Sequence, residues 1–191
     1  MSARKVQTHR RWSAPQWLLS LGFIAVLATP TAWLAKSVRL AKVPSESMAP
    51  TLVPGDVLAL RIDAYRQHPP RRGDVIVFRH PEEGLLVKRV IGEPGEWLTV
   101  VSGRVLLKNQ WLEEPYAQGG QVAEPPVTVH LESDQLFVMG DNRDHAKDSR
   151  DFGPVATSQV VGRVTGIIWP LARRCVLPRF ADGTPPAAEH R

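Results

Sequence analysis

The chain has 191 residues, of which 43% are hydrophobic and 23% charged, with a formal net charge of +5 and one cysteine, Cys175. That balance excludes a disordered polar chain, and a lone cysteine excludes an intrachain disulfide. A domain of ~150 residues buries about 70% of its unfolded surface, so such staples are not required. A basic tilt admits nucleic acid, anionic membrane or acidic ligands. There is no aromatic-interleaved basic stripe and no nucleic-acid module, so nucleic acid is excluded as a partner. Much of the excess charge lies beside an apolar run near the N-terminus and in LARRCVLPR (171–179), which makes membrane proximity the simpler explanation.

In chain order, residues 1–16 are polar and basic and are expected on the cytoplasmic side. Residues 17–35, WLLSLGFIAVLATPTAWLA, carry no charge. A helix of that length spans about 30 Å, one bilayer core. Trp17 and Trp33 sit at its ends, where an aromatic belt places them, and Pro30 is tolerable in a membrane helix. Arg4, Lys5, Arg10 and Arg11 precede the run, and Lys36, Arg39 and Lys42 follow it, a balance that favours a cytoplasmic N-terminus. A cleavable signal peptide, with VLA at 26–28, is disfavoured because the apolar run continues past Ala28. A buried core helix is disfavoured because no polar face alternates with the apolar one.

From residue 38 the pattern is that of an antiparallel β domain, 36–178. DVLAL, DVIVF, LLVKRVI, WLTVV, RVLL, QLFVM and VVGRVTGIIW are short runs rich in β-branched residues, punctuated by Gly and Pro. VSGRV and LKNQWL read as tight hairpin turns. No helix is expected in this part, YAQGGQVAEPPVT reads as a loop or extended linker, and the tail 179–191 is expected to be disordered.

Three stretches carry chemistry. KVPSESMAPTLVPGD (42–56) holds two serines between prolines. Pro44 and Pro50 push their predecessors toward extended conformations. An extended stretch has a period of two, so Ser45 and Ser47 point the same way, as a nucleophile and helper donor or as part of a polar turn. Lys88 lies inside the apolar strand LLVKRVI, flanked on its own face by Leu86 and Val90. It is either a desolvated, neutral general base, which needs a drop of ~2 to 3 units from about 10.4, or a lysine whose ammonium snorkels to water. MGDNRDHAKDSRDFGP (139–154) crowds Asp141, Arg143, Asp144, Asp148, Arg150 and Asp151 together. It reads as a charged surface loop or as a salt-bridged platform, and its spacing does not fit a calcium loop.

Together the N-terminal apolar segment, PSESMAPTL, GDVIVF, KRVIG and GDNRDHAKDSRDFG resemble, in order and spacing, the type I signal peptidases, serine–lysine proteases that remove signal peptides. The resemblance runs from about residue 38 to GIIWP (166–170). It implies a mostly β, coiled antiparallel catalytic domain with one N-terminal transmembrane helix and no metal or cofactor. It implies Ser47 as nucleophile, Lys88 as general base and Ser45 as an oxyanion donor alongside the Ser47 N–H. Arg89 with Asp141, and Asp148 with Arg150, become supporting charge pairs. Its substrates would be signal-peptide-bearing preproteins cut after small residues, met at the outer face of the plasma membrane by a single-pass protein anchored in the lipid bilayer. The chain departs from the family at Ala146, where a serine whose hydroxyl bonds the lysine is usual. That departure also motivates an inactive membrane-anchored scaffold as an alternative, beside a conjugation-type relative with a dedicated substrate.

Overall fold

A computed structural model describes residues 37–120 and 125–178. The expected N-terminal segment 1–16, the anchor 17–35 and the tail 179–191 lie outside the described residues. Among the described residues no helix is long and apolar enough to cross a membrane.

The described part is mostly β. Its strands are β1 (Val38–Lys42), β2 (Val57–Arg61), β3 (Val75–His80), β4 (Gly84–Gly92), β5 (Trp97–Val101), β6 (Arg104–Leu107) and β7 (Gln110–Trp111). They continue with β8 (Val127–His130), β9 (Gln135–Met139), β10 (Val155–Ala156), β11 (Val160–Trp169) and β12 (Cys175–Val176). One sheet runs β1-β2-β11-β3-β4-β9-β10, with β12 on β11, and a second runs β7-β6-β5-β8. Neighbouring strands in both sheets pair antiparallel.

The run VIVF of β3 is apolar without alternation because both faces of the strand are covered. Val75 and Val77 pack with Met48, Leu52, Leu58, Leu60 and Val164. Ile76 and Phe78 point the other way, onto Val90, Leu136, Val138 and Val155. Each such fully buried side chain contributes ~1.5 to 3 kcal/mol relative to exposure. A third cluster, including Ile91, Leu98, Val105, Leu131 and Phe137, joins the far end of β4 to the second sheet. Gly92 sits at this junction: a Cβ there would lie 2.4 Å from Leu98 Cδ2 and 2.6 Å from Leu131 Cδ1.

Both expected hairpins form. Ser102 and Gly103 join β5 to β6 with φ of 45° and 71°, and Lys108 and Asn109 join β6 to β7 with φ of 49° and 66°. Two successive left-handed residues give the turn twist that antiparallel strands require.

Three expectations need correction. Residues 45–51 are not extended but turn repeatedly, with the Ala49 N–H donating to Glu46 O and the Leu52 N–H to Met48 O, each at 2.9 Å. Burial of Met48 and Leu52 in the core sets this path, and it overrides the local bias of the prolines. A short helix, α1 (Ser149–Phe152), does form. Its signal was an Asp-x-x-Asp capping box: the Asp148 and Asp151 carboxylates accept from each other's end of the turn. The segment read as a linker yields β8 at its end, where Val127 and Thr128 begin a strand paired with β5.

Candidate active site

β4 carries Lys88 and Arg89 into the interior of the larger sheet. Lys88 stands opposite Ile76 in the ladder, beside Leu86 and Val90, and is 3% exposed. The turns after β1 bring Ser47 to it: the Lys88 Nζ donates to Ser47 Oγ at 2.7 Å. Ser45 Oγ lies 3.4 Å from Ser47 Oγ, so the two hydroxyls do converge, through a turn rather than a strand. Ser45 is exposed and Ser47 half-buried. Both border a cleft of about 250 Å³ that is lined mainly by apolar side chains, among them Val43, Met48, Leu86 and Val87.

Burial pushes the Lys88 ammonium below the ordinary lysine value. Asp148, and more weakly Asp141 and Asp151, pull it back, while Arg150 adds to the depression. Burial wins, and a lysine with a lowered pKa holds more of the neutral amine that a base requires.

Behind Ser47 lies the loop from Gly140 to Asp148, between β9 and α1. Asp148 is fully buried. Its carboxylate accepts from the Gly140 N–H at 2.9 Å and from Arg150 Nε at 2.9 Å and Nη2 at 3.0 Å. Arg150 Nη2 also donates to Arg143 O at 2.7 Å and Ala146 O at 3.3 Å, so the pair closes the loop into a rigid turn. Arg89 and Asp141 form a two-pronged pair, Nε to Oδ1 at 2.8 Å and Nη2 to Oδ2 at 2.6 Å. Burial opposes the Arg89 charge, but Asp141 overcomes it and holds the guanidinium pKa above its ordinary value. Thus Ser45, Ser47 and Lys88 converge at the cleft, and the four residues expected as support stand behind them as two buried ion pairs. The dense charge of 139–154 is a salt-bridged platform.

Further residues of the site were not singled out from the sequence. The Asn142 N–H donates to Ser47 O and its Nδ2 to Glu46 O, each at 3.2 Å. Thr51 Oγ1 donates to Asp141 Oδ2 at 2.5 Å. Gly140 presses on the Ser47 turn: a Cβ there would lie 2.4 Å from Ser47 O and 2.4 Å from the Ala146 methyl. Arg173 ion-pairs with Asp56 at 2.9 Å and donates to Thr51 O at 3.3 Å. Part of the charge in LARRCVLPR therefore fastens the Ser47 loop and is not left to face a membrane. A signal for Arg173 was absent, because its partner lies more than a hundred residues away.

Ala146 sits where its methyl meets Gly140 beside Ser47, and it offers no hydroxyl to the lysine. Among the described residues, Ser47 Oγ is the hydrogen-bond partner of the Lys88 amine.

A hydroxyl bonded to a buried amine, above a preorganised loop and beside an apolar cleft, has the make-up of a hydrolase that works by an activated serine. Comparison with known proteins gives the family: residues 15–169 match the family Signal peptidase, peptidase S26, and the chain belongs to it. It is 39% identical over 168 residues to Signal peptidase I of Leptolyngbya laminosa, covering 81% of this chain and 79% of that protein. It is 37% identical over 144 residues to Probable signal peptidase I-1 of Synechocystis sp., covering 69% and 71%. Among solved structures, a crystal structure of a signal peptidase I from Enterococcus faecalis is 29% identical, with a TM-score of 0.44, covering 50% of this chain and 97% of that one.

Proposed function

We propose that the protein is a membrane-bound endopeptidase that cleaves signal peptides from exported preproteins after small residues, with Ser47 as nucleophile and Lys88 as general base. The observation that carries this reading is the 2.7 Å contact between Ser47 Oγ and the buried Lys88 amine. Neutral Lys88 takes the Ser47 proton as Oγ attacks the scissile carbonyl carbon. The carbonyl oxygen gains the electron pair, and the Ser45 hydroxyl with the Ser47 N–H stabilises it, an effect worth ~3 to 4 kcal/mol per donor in comparable sites. Collapse of that intermediate expels the amine, which receives its proton from the Lys88 ammonium and leaves an acyl ester on Ser47. Water, deprotonated by Lys88, then hydrolyses the ester and restores both residues. The mainly apolar lining of the cleft suits apolar side chains before the cut.

Anchoring through 17–35, with the catalytic domain on the outer face of the plasma membrane, is part of the proposal. It is supported by a row across the larger sheet: Leu40 pairs with Ala59, Ala59 with Gly166, and Gly166 with Val176. Leu40 is 65% and Val176 83% exposed, and Trp169 and Leu171 nearby in the chain are also exposed. Apolar side chains left facing water in this way fit contact with a lipid surface. Protease added to intact spheroplasts is expected to degrade the domain, and full protection would contradict the topology.

The test of the activity is incubation of the detergent-solubilised full chain with a preprotein, followed by sequencing of the product's N-terminus. Cleavage after a small residue is expected, and Ser47→Ala and Lys88→Ala are each expected to abolish it with the fold intact. Undiminished cleavage by either variant would overturn the assignment.

A further inference from the structure

The segment from Leu112 to Gly120, between β7 and β8 of the second sheet, has no part in the chemistry above, yet its contacts converge on the back of the Gly140–Asp148 loop. Arg143 is 3% exposed, and its guanidinium donates to Glu114 through Nη1 at 3.0 Å and Nη2 at 2.5 Å. The same guanidinium donates to Gly140 O at 3.0 Å and to Gly103 O. The Glu114 carboxylate is 6% exposed and also accepts from the Tyr116 hydroxyl at 3.2 Å. The Tyr116 ring lies against the Arg89 guanidinium, 3.9 Å from its centroid. Burial, with the Glu114 carboxylate beside it, pushes the Tyr116 phenol up, so it stays a neutral donor.

The backbone joins in. The Gln118 N–H donates to Asp141 O and the Arg143 N–H to Gln118 O, both at 2.7 Å, a short parallel bridge centred on Asn142. The Gly120 N–H donates to Asp144 Oδ1 at 2.8 Å. The approach is close enough to exclude side chains: a Cβ on Gly119 would lie 2.5 Å from Asp144 Oδ2, and one on Gly120 2.6 Å from Ser102 O. The opposite edge of the loop is the one that touches the nucleophile, through the Asn142 N–H on Ser47 O and the close fit of Gly140.

We infer that Glu114 is a positioning residue for the reaction, the anchor of a clamp formed by residues 114–120 that sets the Gly140–Asp148 loop and, through Asn142 and Gly140, the Ser47 turn. The inference rests on the peptidase reading. Glu114 neutralises Arg143 and fixes the direction of its guanidinium, which in turn holds the Gly140 carbonyl. No residue of the clamp borders the substrate cleft. The loop it holds reaches the cleft through His145 and Lys147, so its loss is expected to act mainly on turnover, through the Ser47 turn, and less on binding.

The test compares Glu114→Met with the paired variant Glu114→Met/Arg143→Met, made in the full chain. The single variant strands a buried cation and is expected to lower both the melting temperature and kcat. The paired variant removes both charges and is expected to regain part of the lost melting temperature, since a buried pair is often replaceable by apolar residues, while the Gly140 and Gly103 carbonyls still lose their donor. Its kcat is expected to stay ~10- to 100-fold below wild type, the size of effect that misplacement by about an ångström produces, with KM little changed. Hydrogen exchange of the Asn142 amide is expected to quicken in both variants. A paired variant with wild-type kcat and wild-type Asn142 exchange would overturn the clamp. If the wild type cleaves no preprotein, the peptidase reading falls, and Asn142 exchange alone decides: unchanged protection in the paired variant overturns the clamp, and faster exchange upholds it.

Discussion

Lys88 is where the proposed function and the fold's energetics meet. Its place in an apolar strand is unfavourable for a charged group, and burial lowers its pKa. The sign for stability follows from linkage. Below the unfolded value of about 10.4 the unfolded chain binds this proton more readily than the folded one. Wild-type stability therefore rises with pH from the depressed folded value up to the unfolded value, and is poorest below both. Lys88→Met is expected to melt higher than wild type at pH 7, with the difference narrowing toward pH 10, as measured by thermal melts across that range. A difference independent of pH would mean that Lys88 titrates alike in both states. Ala146 is the other informative residue. A hydroxyl there would add one hydrogen bond to orient the lysine, worth about 0.5 to 1.5 kcal/mol. Ala146→Ser is expected to raise kcat by about 2- to 12-fold in the cleavage assay. Unchanged or reduced turnover would show that Lys88 is already held in direction by its packing and by Ser47.

At the scale of elements, the proposed catalytic arrangement is a strand and two loops, and these were not equally legible. β4 and its lysine could be read directly, because a lysine between Leu86 and Val90 contradicts the strand's own pattern. The hairpins at 102–103 and 108–109 were legible because their turn chemistry is local. The path of the nucleophile turn was not, since it depends on Met48 and Leu52 reaching a core built from distant strands. The one-turn helix α1 had a local signal in Asp148 and Asp151, but the density of charge around it obscured the capping box. The contacts of Glu114, Tyr116 and Gln118 could not be read from order alone, because their partners come from another part of the chain. Gly140 carries a prediction at this scale. A Cβ would lie 2.4 Å from the Ser47 carbonyl oxygen, a backbone atom that can yield only if the nucleophile turn moves. Gly140→Ala is expected to lower kcat by ~10- to 100-fold while the circular dichroism spectrum keeps its β signature. Wild-type turnover would show that the turn shifts without consequence for the dyad.

For the molecule as a whole, the sheets supply rigidity and the place of Lys88, and the loops supply the residues that meet it. β4, beside β3 that is buried on both faces, carries Lys88; buried ion pairs lock the loops around it. The mostly β, antiparallel architecture was legible from period and punctuation, whereas the division into two sheets was not, because hairpin signals do not say which strands meet across the chain. Lys88 is proposed to act as a neutral base on Ser47. This role is tested most directly by titrating the Lys88 amine by NMR on chain labelled at lysine and measuring the pH dependence of kcat/KM for preprotein cleavage on the same material. The amine is expected to titrate below the ordinary lysine value, kcat/KM to rise with pH through that same midpoint, and Lys88→Arg to have no activity at any pH because a guanidinium stays protonated. A Lys88 that titrates at about 10.4, or an arginine variant that turns over normally, would contradict it.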